Sequence, residues 1–555
     1  MLRYSILFII SLMLLSSCKL SRMRAELDPG SVVQPQMDLL VLKSDSLMFS
    51  GDDYMVKNEL ANWELYVQGS PEVIGAKIGL LSKDLYRNQE NIFAEKLLEL
   101  VPSKRKQKRI MSFLNWYTRK LDDYIPKEYL KEIYALSKFL DTTYNYLGSP
   151  YQRTLWMHGA HDIGHVLQDL AMVGCSSFAF WGENTQDGNL LIGRNLDFYM
   201  NDDFAKQKIL YFVKPLSGHP YMSVSWPGMM GVLSGMNREG LTITLNAGKS
   251  SIPWSAKTPI SIVAREVLQY AANIEEALRI LEKKKVFVSE TLMIGSAQDK
   301  KAILVEITPR KIDVVNSVDN RLLSTNHFQG KLLGNDKRNT KHIARSHSMY
   351  RFQKLQMLLD TTRDLTPEKA ISIMRNKDGH QGEKLGLGNE KSLNHLLAHH
   401  GVVFQPEDRL VYVSSAPGQM GAYKAYDLKA VFDRTWQAGA ERSVDSLLIP
   451  ADTFIGTREY FNFKSFQRLT QYYLEKIYRN DILVVDSQLQ EYIDLNPDLW
   501  LGYYIVAQIY YLQGDYPKAE QYFRSAACKV LPTAQVKIDI QKHLKKVSKR
   551  WKKTQ

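Results

Sequence analysis

Short apolar runs separated by turn residues fill the middle of the chain. Residues 178–181 and 190–192 are apolar, and residues 182–189 between them are rich in Gly, Asn and Asp. Two such runs joined by turn residues predict a β-hairpin. Similar runs predict further strands at 241–246, 290–295, 302–307 and 322–325, and a pair of strands within 399–415.

Helical periodicity marks the regions on either side of these strands. Apolar residues recur at helical spacing over 88–101, 104–121 and 126–144, with prolines at the breaks, and again over 261–281. Residues 60–174 are therefore predicted to be mainly α-helical. From the pattern alone, the fold class is α+β.

Length and composition fit a folded protein of two or three domains. The 555 residues are too many for one ordinary domain, and 45% hydrophobic residues provide material for a large core. We predict five segments, which are a signal peptide at 1–17, a tether at 18–59, a mainly helical N-terminal segment at 60–174, an α+β core at 175–440 and a helical region with a basic tail at 441–555.

The first residues have the features of an export signal. Arg3 precedes an apolar run at 6–15, and Ser16 and Ser17 stand directly before Cys18. The run is too short to span a membrane comfortably, and it ends in small residues. It resembles a bacterial lipoprotein signal, which implies that Cys18 is lipidated and that the protein is exported and anchored to the cell-envelope membrane. An ordinary signal peptide and an anchor helix are the alternatives.

The chain has three cysteines and a net charge of +13. Cys18 falls in the signal, Cys175 in the predicted hairpin and Cys528 in a helical pattern, and an exported protein that avoids disulfides can keep Cys175 as a free thiol. Positive charge collects at 541–555. This tail could contact anionic lipid or nucleic acid, although a solvated helix end is the simpler interpretation. No nucleic-acid-reading module accompanies it, so nucleic-acid binding is not predicted.

The predicted hairpin brings three reactive side chains to one end of a sheet. Cys175 begins one strand, and Arg194 and Asp197 end its partner. A thiol, a guanidinium and a carboxylate placed together can form an activated nucleophile. Taken singly, each has a simpler interpretation as a small core residue or a structural ion pair.

Several motifs follow one another in a fixed order. They are Gly-Cys-Ser-Ser at 174–177, Gly-Arg-Asn-Leu-Asp-Phe at 193–198, Gly-Met-Asn at 235–237, Thr-Asn-His at 325–327 and Ser-x-x-Arg at 348–351. Together they resemble the N-terminal-nucleophile cysteine hydrolases, which include choloylglycine hydrolases, acid ceramidase, N-acylethanolamine acid amidases and penicillin acyl-coenzyme A acyltransferases. The resemblance extends over roughly residues 60 to 430 and implies a four-layer αββα core.

The resemblance implies that the chain cleaves itself between Gly174 and Cys175. The cysteine would then attack an amide carbonyl and form a thioester for water to hydrolyse, with its own α-amino group as the base. Such a group has an ordinary pKa of about 7.7–8.0, which suits a base at neutral pH. A glycine before the scissile bond has no side chain to obstruct the thiol.

The resemblance also assigns roles to five polar side chains. Arg194 would favour the thiolate, Asp197 would accept hydrogen bonds from the new α-amino group, and Asn246 would donate to the oxyanion. Asn326 and Arg351 would complete the polar wall. No metal and no cofactor are implied.

These features predict a self-processing cysteine amidohydrolase that cleaves a linear amide with an apolar acyl half, such as an N-acyl amino acid, an N-acyl amine or a conjugated bile acid. Apolar side chains near the motifs favour such a substrate, namely Phe178, Phe180, Trp181, Phe198, Tyr199, Trp226, Met229 and Met230. Two alternatives stay open. An amine instead of water could resolve the thioester in an acyltransferase, or the chain could be a non-catalytic scaffold.

Three histidines precede the nucleophile at helical spacing. His158, His161 and His165 share one helix face, with Asp162 between them. Zinc sites use such spacing, but this set lacks the HExxH pattern and a nearby cysteine. We predict buried, hydrogen-bonded histidines and no metal site.

The C-terminal region resembles a tetratricopeptide repeat over residues 503–532. Its signature positions hold Tyr503, Val506, Ala507, Tyr510, Gly514, Tyr516, Ala519, Phe523 and Ala526. Such helix pairs often bind proteins. With one clear repeat, a partner-binding surface and a structural cap on the core are equal alternatives.

Overall fold

The structure is a computed structural model that describes residues 42–554, apart from 44–45, 102, 160–161, 163–172, 199, 250–255, 287, 434–441 and 482. The predicted signal peptide at 1–17 and its lipidation site Cys18 lie outside the described residues, as do His161 and His165. Among the helices of the described part, none is long and apolar enough to cross a membrane.

The strands are numbered in chain order. Their bounds are Leu42–Lys43 (β1), Leu47–Ser50 (β2), Asp53–Lys57 (β3), Trp63–Gly69 (β4), Val173–Phe180 (β5), Leu191–Phe198 (β6), Ile209–Pro215 (β7), Tyr221–Ser225 (β8), Ser234–Asn237 (β9), Leu241–Ala247 (β10), Glu290–Ser296 (β11), Lys301–Ile307 (β12), Ile312–Asn316 (β13), Arg321–Ser324 (β14), His400–Gln405 (β15), Leu410–Ser414 (β16) and Tyr423–Asp427 (β17).

The strands form two sheets. Within the described residues, sheet A has eleven strands in the order β1-β2-β3-β4-β7-β8-β9-β10-β11-β12-β13, and sheet B has six in the order β14-β5-β6-β15-β16-β17. Neighbouring strands are antiparallel, except that β4 and β7 run parallel. The predicted hairpin is β5–β6, in the interior of sheet B.

The helices are also numbered in chain order. Their bounds are Pro71–Leu81 (α1), Lys83–Leu100 (α2), Lys104–Thr118 (α3), Lys127–Ser137 (α4), Pro150–His158 (α5), Asp202–Lys206 (α6), Ile260–Tyr270 (α7), Ile274–Leu281 (α8), Lys337–Arg345 (α9), Ser348–Asp360 (α10), Pro367–Met374 (α11), Leu428–Asp433 (α12), Arg458–Arg479 (α13), Asp486–Asp494 (α14), Trp500–Gln513 (α15), Tyr516–Ala527 (α16) and Ala534–Thr554 (α17).

Helices cover the outer side of each sheet, so the core has four layers. One apolar cluster lies between the sheets, where Phe212 and Met222 of sheet A share it with Ile192 and Val402 of sheet B. A second, larger cluster packs the other side of sheet A against α1, α4, α7 and α8, and it continues to the end of sheet B, where it includes Cys175, Leu196 and Phe198. A third packs the other side of sheet B against α10 and α11. The predicted α+β class and αββα order are confirmed.

The side chains of strand β10 point alternately to the two sides of sheet A. Successive side chains of a strand point to opposite sides. Leu241, Ile243 and Leu245 belong to the cluster under the helices of sheet A. Asn246 therefore faces sheet B, where its amide donates to Ser177.

The N-terminal part of the chain is built into the core. The prediction of a tether at 18–59 is wrong over strands β2 and β3, because Met48 of β2 and Tyr54 and Met55 of β3 are buried and the strands extend the edge of sheet A. The segment predicted at 60–174 is mainly helical, yet it opens with β4, which pairs with β7. A boundary at 174/175 therefore does not separate two folding units.

The helix predicted over 261–281 is two helices. The first ends at Tyr270, and Ala271 is extended. Asn273 Oδ1 then accepts a hydrogen bond from the Glu276 N–H at 3.0 Å and begins α8. An asparagine at a helix start offers the backbone an alternative to a continuous helix, and apolar periodicity does not reveal it.

Helices α13 to α17 form the predicted C-terminal helical region. They enclose their own apolar cluster, which includes Phe466, Tyr492 and Phe523. Its likeness to a tetratricopeptide repeat stays a prediction.

The C-terminal region also bonds directly to the core. Asn496 Oδ1 accepts a hydrogen bond from the Leu387 N–H at 3.1 Å, and Asn496 Nδ2 donates to the Leu387 carbonyl at 2.9 Å. Asn389 Nδ2 donates to the Val530 carbonyl at 2.9 Å. The core segment 385–398 is therefore held in part by the last helices of the chain.

Candidate active site

The candidate site lies at the end of sheet B where β5 begins and β6 ends. In the register of the hairpin, Gly174 pairs with Asp197, and Ser177 pairs with Arg194. The predicted meeting of Cys175, Arg194 and Asp197 at one end of a sheet is therefore found.

The site residues of the hairpin are divided between two faces of sheet B. We call the face toward sheet A the inner face and the face toward α10 and α11 the outer face. Cys175 and Arg194 are on the inner face, since Cys175 alternates in phase with Ala179, which lies in the cluster between the sheets, and Arg194 bonds to β9 and β10. By strand alternation, Gly174 and Asp197 are on the outer face.

On the inner face, the Arg194 guanidinium is fixed around the thiol. Its Nη1 donates to the Leu233 carbonyl at 3.0 Å and to Ser234 Oγ, and its Nη2 donates to the Leu245 carbonyl. Nη2 also lies 3.8 Å from Cys175 Sγ. The arginine therefore has one orientation, which is set by backbone carbonyls.

Arg194 alone does not convert the thiol to thiolate in the intact chain. Burial raises the pKa of the Cys175 thiol, and this effect exceeds the lowering by Arg194. Asp197 and Glu290 act in the same direction as burial. The predicted role of Arg194 is right in sign, but the buried thiol stays protonated at neutral pH.

Asn246 is close to the hairpin but already bonded. Its Nδ2 donates to Ser177 Oγ at 2.7 Å and to the Ser324 carbonyl at 3.2 Å. Its Oδ1 has no hydrogen-bond partner among the described residues. If Asn246 donated a hydrogen bond to an oxyanion, the oxyanion would have to displace Ser177 or Ser324 as the acceptor.

The backbone of Cys175 is held by two side chains that the sequence predicted. Its N–H donates to Asn326 Oδ1 at 3.0 Å, and its carbonyl accepts from Arg351 Nη1 at 2.7 Å. Arg351 also donates to Asn326 Oδ1 at 2.5 Å and to Ser176 Oγ at 2.9 Å. The first turn of α10 supplies this arginine, and Asn326 follows strand β14.

Asp197 on the outer face lacks the hydrogen bonds that a buried carboxylate needs. It is buried, yet neither of its oxygens has a hydrogen-bond partner in the described part of the chain. Burial raises its pKa to about 7, against the lowering by Arg351 and Arg194. It is therefore half-protonated near neutral pH and can give or take a proton there.

Sequence reasoning missed two buried groups at this site. His395 Nδ1 lies 3.5 Å from Asp197 Oδ2, and Glu290 on β11 is a buried carboxyl that acts on the Cys175 thiol. His395 lies in a segment without helix or strand, so no periodicity marks it. Glu290 opens an apolar strand, and an acid in that position was the signal that could have found it.

The apolar side chains near the motifs separate between the two faces. Phe198, Trp226 and Met229 lie in the same cluster as Cys175, as does Met230. Phe178 and Phe180 pack instead against α10 and α11 on the outer face. The second pair therefore gives no support to an apolar binding site at the thiol.

The described residues contain no group of side chains that could hold a metal ion. His158 is buried, its Nδ1 donates to the Thr154 carbonyl at 2.8 Å, and its Nε2 accepts from the Met230 N–H at 3.1 Å. Burial lowers its pKa to about 4. For this histidine, the prediction of a buried, hydrogen-bonded side chain is confirmed.

The four-layer core, with a cysteine at the start of an interior strand, is the arrangement that the resemblance to N-terminal-nucleophile hydrolases implies. Residues 183–417 match the family model described as acyl-coenzyme A:6-aminopenicillanic acid acyl-transferase. This match supports the predicted resemblance over those residues. It covers less than half of the chain, and it includes the five predicted polar residues of the site but not Cys175.

Two curated relatives are similar over part of their length. Protein dcd1B of Dictyostelium discoideum is 26% identical over 230 residues, which are 41% of this chain and 43% of the relative. An uncharacterized protein of Archaeoglobus fulgidus is 28% identical over 152 residues, which are 26% of this chain and 25% of the relative. The chain thus spans less than half the length of these relatives.

Two solved structures are also similar. An N-acylethanolamine-hydrolyzing acid amidase ortholog of Caenorhabditis elegans is 19% identical, with a TM-score of 0.30, over 42% of this chain and 93% of its own. A mutant conjugated bile acid hydrolase of Clostridium perfringens is 14% identical, with a TM-score of 0.32, over 49% of this chain and 96% of its own. Similarity of this degree carries no argument about activity.

Proposed function

We propose that the protein is a self-processing cysteine amidohydrolase with Cys175 as its nucleophile. The setting of one residue supports this most strongly. The Cys175 thiol lies 3.8 Å from Arg194 on the inner face, its N–H donates to Asn326, and the under-bonded Asp197 flanks it on the outer face. Each polar group of Cys175 thus has its own partner, because the thiol faces Arg194, the N–H donates to Asn326 and the carbonyl accepts from Arg351.

The first reaction would be cleavage of the bond between Gly174 and Cys175. The thiol attacks the Gly174 carbonyl carbon, the C–N bond breaks, and the Cys175 nitrogen takes up the thiol proton and becomes an amine. Water then hydrolyses the resulting thioester, which leaves a carboxyl group on Gly174 and regenerates the thiol. Because Asp197 has a pKa of about 7, it can carry a proton during these steps.

Cleavage would also complete the hydrogen bonding of the site. The intact amide has one N–H, which donates to Asn326, whereas an α-ammonium has three. The additional hydrogens suit the open acceptors of Asp197. In its neutral form, the amine takes the thiol proton when Cys175 attacks a substrate amide, and the leaving amine of the substrate receives that proton.

The substrate would carry an apolar acyl group on the inner face. Phe198 is on that face by strand alternation and stacks on Trp226 with ring centroids 5.3 Å apart, and both belong to the apolar cluster that includes Cys175, Met229 and Met230. The thiol is fully buried in the intact chain, so a substrate would reach it only after cleavage has opened the site. N-acyl amino acids, N-acyl amines and conjugated bile acids fit this description.

Acyl transfer is the second candidate activity. The family model that matches residues 183–417 is described as an acyl-transferase. In that reaction an amine, instead of water, would resolve the thioester at Cys175. Product analysis with added amines separates the two activities, since only transfer forms a new amide.

We further propose that the chain is exported and anchored through a lipid on Cys18, on the support of its signal sequence. A membrane-tethered enzyme would suit a lipid-like amide. The C-terminal helical region is proposed as a surface for a protein partner, with a structural role as the alternative.

Denaturing mass analysis of the purified soluble form, which lacks the signal, tests the proposed function. We expect the wild type to give two fragments that meet at Gly174–Cys175 and the Cys175→Ala variant to stay whole, because the alanine has no nucleophile. A screen of acyl amides with the cleaved protein then identifies the substrate. A wild type that stays whole after long incubation at neutral and acidic pH would contradict the proposal.

A further inference from the structure

The imidazole of His395 is packed directly on the backbone of Gly174. A Cβ atom at position 174 would lie 2.6 Å from His395 Cε1, 3.3 Å from His395 Nδ1 and 3.4 Å from Asp197 Oδ2. The first of these distances is far below van der Waals contact. The φ angle of Gly174 is not positive, so the ring, and not the backbone conformation, excludes a side chain here.

The ring has little freedom to move away. Asn394 Oδ1 accepts hydrogen bonds from the Leu396 N–H at 2.8 Å and from Gln419 Nε2 at 2.7 Å, and Asn394 Nδ2 donates to the Arg375 carbonyl at 3.2 Å. These bonds fix the chain on both sides of His395. The side chain of His395 is only 5% exposed.

Burial keeps the ring neutral. Asp197 on β6 faces it at 3.5 Å, and His347, at the start of α10, faces it with ring centroids 5.8 Å apart. Burial lowers the pKa of His395 to about 3, and Arg351 on α10 acts in the same direction. The contact with Asp197 therefore joins a neutral imidazole to a carboxyl group and is not a salt bridge.

We propose that His395 is a positioning residue for self-cleavage, which presses on Gly174, restricts that position to glycine and places the scissile peptide beside Asp197. The proposal rests on the proposed function. It gives a second reason why position 174 is glycine, because the side chain of His395 already occupies the space where a Cβ atom would lie. A histidine from a distant loop thus selects the residue before the cleavage point.

A substitution that removes the conflicting atom and keeps the polar one tests the proposal. Asparagine has an atom near the position of the histidine Nδ1 but none at the position of Cε1. We expect Gly174→Ala to slow self-cleavage by roughly tenfold or more, as overpacking a filled site does. Adding His395→Asn should restore the rate to within about threefold of the His395→Asn single variant.

A matched control and a second measurement complete the experiment. His327→Asn removes another buried imidazole, which bonds to Thr325 and Ser348, and it should not rescue Gly174→Ala. The same set in a Cys175→Ala background gives urea midpoints without cleavage, where His395→Asn should again relieve the loss caused by Gly174→Ala. At native Gly174, His395→Asn should cleave faster than His395→Leu, which lacks the polar atom.

The outcomes separate this inference from the proposed function. A wild type that stays whole removes both. A wild type that cleaves, beside a Gly174→Ala variant that cleaves equally fast, overturns only the inference. So does a slow, folded Gly174→Ala variant that His395→Asn does not rescue. If Gly174→Ala yields no folded protein, recovery of folded protein by His395→Asn but not by His327→Asn supports the inference, and equal failure of both overturns it.

Discussion

The two faces of the hairpin end are built in opposite ways. On the inner face, the guanidinium of Arg194 is bonded to Ser234 and to two backbone carbonyls, and the buried thiol belongs to a large apolar cluster. On the outer face, Asp197 and the Nε2 of His395 have no hydrogen-bond partner among the described residues. A bonded, immobile face suits positioning of a nucleophile, whereas an under-bonded face suits a site that receives a proton or a new ammonium group.

The largest effect is expected from the substitution of Arg194 on the inner face. Arg194→Met removes the donor to Ser234 Oγ and to the Leu233 and Leu245 carbonyls, of which Leu233 keeps its bond from the Leu245 N–H. The lost hydrogen bonds should lower the free energy of unfolding by about 3–5 kcal/mol. It also removes the charge that opposes the raised pKa of Cys175, and each unit of pKa is about tenfold in thiolate. We expect self-cleavage to fall by roughly 10²-fold or more. Urea denaturation in a Cys175→Ala background and fragment analysis measure the two effects.

Arg265→Met is the matched control for that substitution. Arg265 is as buried as Arg194 and forms an ion pair with Glu132 at 2.6 Å, under the helices of sheet A. Its loss should destabilise the protein similarly while the folded fraction still cleaves itself. Equal loss of cleavage in both variants would show that stability alone limits the reaction.

On the outer face, a substitution of Asp197 should raise the stability of the protein instead of lowering it. Asp197 has a folded pKa of about 7, above its ordinary value of 3.8. A carboxyl with a raised folded pKa contributes full stability below pH 3.8, and this contribution is lost as the pH rises to about 7. In a Cys175→Ala background, Asp197→Asn should therefore stabilise the protein above pH 7, by about 4 kcal/mol at most.

The pH profile of that difference is the decisive measurement. The stability gain from Asp197→Asn should shrink steadily between pH 7 and pH 4.5, since the carboxyl becomes neutral in the folded chain. With Cys175 present, the same substitution should slow self-cleavage by roughly 10²-fold, because the proton carrier is lost. A gain that does not vary with pH would refute the raised pKa, and a loss of stability at pH 8 would mean that Asp197 is well bonded.

The smallest effect is expected where the C-terminal region supports the outer face. Asn496→Ala removes both hydrogen bonds to Leu387 in the segment that carries His395. We expect a loss of about 1–2 kcal/mol in the free energy of unfolding, and a slowing of self-cleavage of a few-fold at most. Asp498→Ala is the control, since its pairing with Lys529 at 3.9 Å is exposed and should contribute little. If the control slows cleavage equally, the Asn496 contact is not the cause.

Local signals explain how much of this site the sequence could predict. The turn at 182–189 and the apolar runs beside it predict the hairpin, and strand pairing then brings Cys175, Arg194 and Asp197 to one end. Asn246, Asn326 and Arg351 followed from the resemblance, and each lies within hydrogen-bond distance of the hairpin strands. Strand pairing over a short sequence distance thus predicted the first three residues, and the recognisable order of the motifs predicted the other three.

What the sequence could not predict depends on long-range packing. His395 approaches Gly174 only because hydrogen bonds of Asn394 fix a loop without periodicity. The division of the site residues between two faces follows from alternation, but which face meets sheet A depends on the stacking of two sheets. The strands β2 and β3 are short, and their side chains are buried because Tyr54 and Val56 pack between the sheets while Met55 packs on the other side of sheet A.

The bonds between the last helices and segment 385–398 can form only late in the synthesis of the chain. During synthesis the chain emerges from its N-terminal end. The Gly174–Cys175 bond is therefore made long before Asn496 and Val530, whose bonds to Leu387 and Asn389 help to hold the segment that carries His395. A nascent chain that stops short of these helices lacks part of that support. Chains that extend beyond Val530 are thus the first in which these supporting bonds can all form.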